Sequence, residues 1–598
     1  MTDKRFPNPF ELEAPVGAEG WRELYPYSVT FSEKRREYEE NRFWFWDSMH
    51  WGTAMTPWDS HFFETAIATL SQMNSRHYRI PPADGIDFRV LNGYAYLSPV
   101  GVDPTKIEAR VPQFMERAGH YFANWDDLYQ SWLVKVKGAI GEIEALDFSP
   151  LPEIEDLSVV TGGSALGSGH RLMSDYSTFK NLITEVWQYH FEFLNLGYAA
   201  YLDFFGFCKE AFPSIPDLGI AKMVAGVEVD LFRPNEELKL LAKKAIDLGI
   251  PRAFDDPENV NLTGDDGAEW QAAWDEAADP WFNFTSGNGF YHFDEIWREH
   301  PAVPYAFIKD YISKIEAGDD IGRPIEAIQA ERDRIVEEYR DLLATDEDRE
   351  AFDGKLGLAR VVFPYVENHN FYIEHWTMSV VWRKVRELGA TLGKDGLLGA
   401  DDDLLFLRLS EVDEVLWDYY TNWAVNAPTA SKAHWAPTIE RRRGIHEKLK
   451  GWKAPKALGE PPAVITEPFT IMLWGITTDS VSTWLGGDDD VEGVITGMAA
   501  SPGTVEGRAR LVFSPADVGE ILDGEILVAP ITAPSWAPVF PKIQACVTDI
   551  GGMMSHAAIV CREYSVPAVT GTGFATDKIE TGDRIRVDGS SGTVTILD

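Results

Sequence analysis

The run Gly551-Gly552-Met553-Met554-Ser555-His556-Ala557-Ala558-Ile559-Val560-Cys561-Arg562-Glu563 decides how the C-terminal part of this chain is read. Two glycines permit backbone angles that other residues avoid, and a close approach by a ligand. Ser555 is a good helix N-cap, so His556 is expected to open a helix. Amide groups of a first helical turn have no intrahelical partner, and the helix dipole is positive there. Both favour a bound anion, phosphate included. The same field disfavours an imidazolium, so His556 is expected to be neutral and nucleophilic at about pH 7. For a lone histidine, a buried structural role is the plainer alternative.

Around this run, residues 505–513, 525–529, 545–549, 567–570, 584–588 and 593–597 are short, rich in Val and Ile, and punctuated by Gly, Pro or Asp. They predict strands. Residues 515–522 and 556–564 predict helices between them. The result is a small α/β domain of ordinary size.

The ordered set of motifs here resembles the phosphohistidine "swivelling" (mobile) domain of phosphoenolpyruvate-utilising enzymes and dikinases. The resemblance is carried by Ala500-Ser501-Pro502-Gly503, Val505-Glu506-Gly507-Arg508-Ala509 and Gly524-Glu525-Ile526-Leu527-Val528-Ala529. It continues through Thr532, Pro534-Ser535-Trp536, Val547-Thr548-Asp549, the histidine run, Arg562 to Val569, and Gly582 to Gly589. It implies that His556 is phosphorylated and carries the group between two active sites. It also implies that Thr548, Gly551, Gly552, Ser555 and Arg562 form the phosphohistidine loop.

The whole chain has 598 residues, too many for one core. We read a multidomain α+β protein: a large, mainly helical region at 1–451, a linker or hinge at 452–495, and the small α/β domain at 496–598. Helices are predicted at 171–211, 235–248, 303–317, 324–344, 365–389, 411–423 and 437–450. Asn92-Gly93 predicts a small hairpin over 86–97. The segment 452–498, rich in Pro, Gly and Asp, suits a hinge with some ordered pieces.

Composition excludes several classes. A net charge of −41 argues against nucleic acid and against anionic membranes as partners. No apolar run approaches the roughly 18 residues that span a bilayer. The start, Met1-Thr2-Asp3-Lys4-Arg5, is not followed by an apolar stretch, so no secretory signal is expected. Cys208, Cys546 and Cys561 form neither a disulfide framework nor a metal-site spacing, and a reducing cytoplasm fits them. No metal site is predicted. The runs Asp401-Asp402-Asp403 and Asp488-Asp489-Asp490 lack calcium-loop spacing and read as solvated turns.

Aromatic residues make up 13% of the chain and include 21 tryptophans. Trp44, Trp46, Trp51 and Trp58 gather with Phe43, Phe45, Phe62 and Phe63. Core packing and an aromatic pocket for a flat ligand both fit that pattern.

The long helical region is similar to the acceptor-binding domain of rifampin-type antibiotic phosphotransferases, and especially to the large subunit of phenylphosphate synthase-type aryl phosphotransferases. The residues are Met55-Thr56-Pro57, Leu91-Asn92-Gly93-Tyr94-Ala95-Tyr96, Glu367-Asn368-His369-Asn370-Phe371-Tyr372, Arg386-Glu387-Leu388-Gly389 and Asp401 to Leu407. No glycine-rich ATP loop is read near the N-terminus, and no barrel follows the small domain. The resemblance therefore implies a separate ATP-grasp-type subunit that holds ATP and Mg2+, and a phenolic acceptor bound by this chain. Such a role belongs to aromatic catabolism. The alternatives are a rifampin-type phosphotransferase component and a non-catalytic phosphocarrier.

Transfer to a phenol, whose pKa is about 10, requires a modest base, an aligned ring and charge neutralisation. His369 is the expected general base with Glu367 as its partner; a structural histidine is the alternative. Trp51, Trp58, Asn370, Tyr372, His375 and Arg386 are expected to bind the acceptor. Arg383 and Lys384 are further candidates to steady phosphate, or else surface charges. His50 and His61 are candidates in the tryptophan-rich segment.

Overall fold

The computed structural model describes residues 5–465, 467–485, 493–513 and 515–597. Asp488, Asp489 and Asp490 lie outside the described residues. Two sheets and a large helical body make up the molecule.

The first sheet has four strands, β1 (Trp44–Trp46), β2 (Ala83–Leu91), β3 (Tyr94–Gly101) and β4 (Ala457–Leu458), in the order β2-β3-β1-β4. Its hairpin turns at Asn92 and Gly93, whose φ angles are +49° and +88°. A tight two-residue turn needs positive φ at both positions, which is why Asn-Gly marks it. The fourth strand comes from the segment expected to be a hinge. There the chain also forms two short helices, Pro468–Trp474 and Thr478–Trp484.

Four helices matter for the site. Helix α1 (Pro57–Gln72) starts at a capping box in which Thr56 and Asp59 exchange side-chain and backbone bonds. Helix α2 (Ser168–Ala211) is a single run of 44 residues. Helix α3 (Asp346–His369) leads into a π-helical stretch at Asn370–Thr377, and α4 (Met378–Lys394) follows without a break. The sequence pattern predicts one plain helix over 365–389. The inserted wide turns change which side chains share a face. Helices α2 and α3 approach closely at Gly197, where an added Cβ would stand 2.6 Å from Val366 Cγ2.

The second sheet has eight strands: β5 (Val494–Thr496), β6 (Met498–Ser501), β7 (Thr504–Leu511), β8 (Ile526–Ala529), β9 (Ala545–Thr548), β10 (Ala568–Thr570), β11 (Arg584–Asp588) and β12 (Thr593–Leu597). Their order is β5-β12-β11-β7-β8-β9-β10-β6. The central strands β7, β8, β9 and β10 run parallel, while the flanking pairs are antiparallel. Strands β8, β9 and β10 are fully buried and carry mostly Val, Ile, Leu and Ala, as parallel strands covered on both faces do, whereas β7 is exposed or half-buried and only its Ala509 is buried. Helix α5 (His556–Glu563) is the crossover from β9 to β10. The histidine run therefore lies beyond the carboxyl end of a parallel strand, where open α/β sheets bind ligands.

Several expectations differ in detail. Edge strands β5 and β6 are too short to leave a pattern. Residues 515–520 form a 3-10 turn rather than a regular helix. Helices at Pro104–Ala123, Trp125–Ala145 and Gly264–Trp281 add to the predicted set. Asp402 and Asp403 pair with Arg443, so that acidic run is a turn tied to an arginine. Among the described residues, no helix is long and apolar enough to cross a membrane.

Candidate phosphoryl-transfer site

His556 occupies the first position of α5, with Ser555 as N-cap in extended backbone. The Ser555 side chain makes no capping bond, contrary to expectation, and its hydroxyl is buried without a partner. Gly551 sits at φ +131°, which glycine tolerates and other residues rarely adopt. Gly552 serves a close approach, but by the protein's own backbone rather than by a ligand. A Cβ there would stand 2.1 Å from the Met472 carbonyl oxygen. Gly552 N donates to Leu473 O at 2.9 Å, and Gly551 N to Trp474 O at 3.3 Å. The short helix of the linker thus lies directly on the histidine loop.

Two other loop residues act on the backbone. Arg562 is buried and donates to the carbonyls of Ala500 (3.1 Å) and Met553 (2.9 Å), which fixes the loop from behind. Burial pushes its basicity down. The hydroxyl of Thr548 donates to Ile550 O at 2.9 Å.

The C-terminal domain packs against the helical body through named contacts. Gly226 N donates to Glu563 Oε1 at 3.0 Å, and Asn235 Nδ2 to Tyr564 Oη at 3.1 Å. Lys542 pairs with Asp310 at 2.8 Å, and Ser535 Oγ donates to Ser286 O at 2.5 Å. In this arrangement His556 faces the body. Both of its ring nitrogens are buried without a hydrogen-bond partner, and burial pushes its pKa down to about 3. A neutral imidazole with an available nitrogen is what attack on a phosphoryl group requires.

His556 lines a cavity of about 160 Å³. Its walls are aromatic: Trp51, Trp187, Phe191, Phe290 and Trp474 all contribute. Trp51 stacks on Phe290, and Phe290 on Trp187. Three histidines other than His556 reach it, namely His50, His190 and His369, together with Glu367, Asn370 and Glu374. Among the described residues, no lysine or arginine lines it. A larger cavity of about 490 Å³ adjoins it, and the two share Met49, His50, Asn288, Ile531, Thr532, Ala533 and Ile550. His556 lines the smaller cavity and not the larger.

His50 is held by Asp47, whose carboxylate oxygens lie 2.9 and 3.1 Å from His50 Nδ1. Burial works against a charged His50, yet the Asp47 charge and bond, with Glu374 further off, raise its pKa above the ordinary value. Asp47 also accepts from Trp474 Nε1 at 2.8 Å. Another part of the wall is built by α2, α3 and the π-helical stretch. There His190 Nε2 lies 2.9 Å from Glu374 Oε1, and His369 Nε2 lies 3.8 Å from the same oxygen. Burial pushes both imidazoles down to about 3 and raises the carboxyl of Glu374. Glu367 is raised to about 8, first by burial.

Of the expected acceptor-side residues, His369, Glu367, Asn370 and Trp51 line this cavity. Glu367 does not pair with His369, because residues two apart on a regular helix do not face each other, and Glu374 from the π-helical stretch lies near His369 instead. Trp58 is a core residue that donates to Leu404 O at 3.0 Å. Tyr372 turns away and donates to Asp230 at 2.9 Å. His375 is bound to Thr285 at 2.8 Å, outside the cavity lining though electrostatically coupled to His556. Arg386 and Arg383 pair with Glu299 and Glu144 on the outer face, and Lys384 bonds Leu146 O and Glu387. None of these three cations reaches His556. His61 pairs with Glu64 and lines neither cavity. Sequence reasoning passed over His190, which sits among aromatic residues in the middle of a long helix and has no local signature.

Comparison with known proteins agrees with the C-terminal geometry. Residues 521–592 match the family described as PEP-utilising enzyme, mobile domain. Several relatives of the chain are named phosphotransferases. It is 28% identical over 304 residues to an uncharacterised phosphotransferase of Bacillus subtilis, covering 51% of this chain and 34% of that protein. It is 28% identical over 309 residues to a rifampicin phosphotransferase of Streptomyces sviceus, covering 50% and 32%. A chondramide synthase of Chondromyces crocatus is 26% identical over 576 residues, 93% of this chain and 14% of that protein. The chain spans about a third or less of the length of these curated relatives.

Proposed function

We propose that this chain is a phosphotransferase component that receives a phosphoryl group on His556 and delivers it to the hydroxyl of a single-ring phenolic compound. The observation that carries this reading is the shared cavity: His556 and an aromatic wall with acid–base groups enclose about 160 Å³. An apolar cavity of about 150 Å³ is known to hold benzene, so a phenol ring is matched in size. In the transfer, the acceptor oxygen attacks phosphorus and the N–P bond of phosphohistidine breaks. The acceptor proton passes to a base, and neutral His556 is regenerated. Asp47 holds His50 Nδ1, which leaves Nε2 as the nitrogen free to take that proton, as in other aspartate-oriented histidines. We assign the base to His50; His369 lines the same cavity.

The donor belongs to the same proposal. ATP and Mg2+ are handled by a separate ATP-grasp-type subunit, as the family resemblance implies, in the cytoplasm, where the free, buried Cys208, Cys546 and Cys561 remain reduced. A larger, rifampicin-type acceptor is the second reading. It is favoured by the relatives of that name and by the adjoining cavity of about 490 Å³.

Reconstitution tests both. The chain is incubated with an ATP-grasp partner, labelled ATP, a panel of phenols and rifampicin. Label on wild type that is absent in His556→Ala and discharges onto phenols supports the first reading, and discharge onto rifampicin alone supports the second. Label that no acceptor removes would favour a carrier without chemistry of its own. No labelling with a partner competent on another carrier would end the phosphohistidine reading.

A further inference from the structure

The acceptor wall holds a constellation that phosphoryl carriage does not need. His190 comes from α2, His369 from the end of α3, and Glu374 from the π-helical stretch. One ligand-type atom from each lies within 4.8 Å of the other two. Two distances are 2.9 Å and 3.8 Å. Ligands around a tetrahedral zinc, each about 2.0–2.1 Å from the metal, stand roughly 3.4 Å apart, so the observed spacings bracket a metal-binding set.

Two devices create this set. Gly197 lets α2 approach α3, and the rings of His190 and His369 stand 4.7 Å apart, edge to face. The π-helical stretch then places Glu374 on the same face as His369. Its wide turns bring residues five apart close to alignment, whereas a regular helix would turn them well apart. π-helical bulges of this kind concentrate at functional sites.

The electrostatics point the same way. Glu367 and Glu374 both line the cavity, and among the described residues no lysine or arginine joins them there. Glu367 Oε2 is buried without a partner. Buried carboxylates are ordinarily paired or bound to metal. Two imidazoles and one carboxylate suit a first-row divalent cation better than Mg2+ or Ca2+, which prefer all-oxygen shells. Three protein ligands leave one position open, and the cavity supplies the space beside it.

We infer that His190, His369 and Glu374 bind a divalent transition cation, of the zinc type, on the acceptor side of the cavity. Its open position takes the acceptor's hydroxyl oxygen and lowers the pKa of that hydroxyl. The cation's presence does not depend on the proposed function; its catalytic role does.

The test uses the full chain. The purified protein is loaded separately with Zn2+, Co2+ and Mn2+, desalted, and its metal content measured. About one equivalent of Zn2+ or Co2+ is expected, with a cobalt absorption spectrum of low-coordinate type. Glu374→Gln and His190→Ala should each weaken binding at least 10-fold, while His61→Ala, which lines neither cavity, should retain it. Zinc-edge X-ray absorption of wild type should show two imidazoles, and this readout decides the matter even where a variant fails to fold. No stoichiometric metal, retention in both variants, or a spectrum without imidazole overturns the site. None of these results bears on whether His556 is phosphorylated, which is read separately by labelling from ATP.

Discussion

Trp474 donates its indole N–H to Asp47 at 2.8 Å, and Asp47 is the same carboxylate that holds His50. A residue of the segment leading into the C-terminal domain therefore helps set His50, the proposed base. Docking of the domain and orientation of His50 are coupled through one buried carboxylate. Trp474→Phe is expected to leave labelling of His556 by the donor subunit unchanged. It should slow discharge onto a phenol by roughly 10-fold, with Asp47→Asn slower still, because orientation of the base is what is lost. Single-turnover rates of the two half-reactions measure the split, and equal effects on both would refute the coupling.

Replacing the base itself gives a sharper result. His50→Ala should cut phosphoryl discharge by about 100-fold or more, within the ordinary range for general-base catalysis. His556 labelling should persist in that variant. Discharge that His50→Ala leaves unchanged would refute the assignment of His50 as the base.

Gly552→Ala tests docking directly. The added methyl meets the Met472 carbonyl at 2.1 Å, and backbone cannot yield that much locally. The C-terminal domain should still fold, since Gly552 lies in a loop outside its sheet. Faster protease cleavage within 465–485 and loss of acceptor discharge, with donor labelling retained, are the expected outcomes.

Cavity size should set acceptor size. Leu194 lines the cavity and is buried, so Leu194→Ala enlarges it and costs about 2–5 kcal/mol of stability. Discharge should shift from phenol toward ring-substituted phenols. The ratio of rates for phenol and a bulkier analogue measures this, and an unchanged ratio would place the acceptor ring elsewhere.

Glu411 is one source of acid-sensitive stability in the helical body. Glu411 receives two bonds from Arg442, at 2.6 and 2.8 Å, and two from Arg408. Burial alone would raise its carboxyl, but these bonds outweigh it and pull the pKa down from 4.5 to about 2. A carboxyl depressed on folding stabilises the protein above its unfolded pKa, and that stability fades as pH falls from about 4.5 to about 2. The depression corresponds to roughly 3 kcal/mol. Glu411→Gln should lower the melting temperature at pH 7 and flatten its fall between pH 5 and pH 3.

The sequence carries much of the C-terminal domain, because β8, β9 and β10 are buried on both faces and read as short apolar runs. The Asn92-Gly93 hairpin is legible for a similar reason: its turn demands residues that accept positive φ. His556 is legible because glycines, cap and histidine are contiguous. The acceptor wall is not. His190, His369 and Glu374 meet only through the packing of α2 on α3 and the wide turns after His369, and neither leaves a local pattern. Arg383, Lys384 and Arg386 mislead because a cation's direction depends on which helix face is buried. The segment 452–495 reads as a hinge from its Pro and Gly, yet part of it packs as a strand and as a helix against both neighbours.

The wide turns between α3 and α4 have a consequence for how such a protein can change. In a regular helix, residues five apart are rotated by about 500°, which leaves them some 140° out of line. One extra residue in the turn removes most of that mismatch. A codon deleted near Asn370 would close the stretch into a regular helix with the histidine and the glutamate four apart and still on one face, whereas a codon inserted there would swing them out of line. Related sequences one residue longer at this point should therefore differ in acceptor chemistry, with the C-terminal domain unaltered.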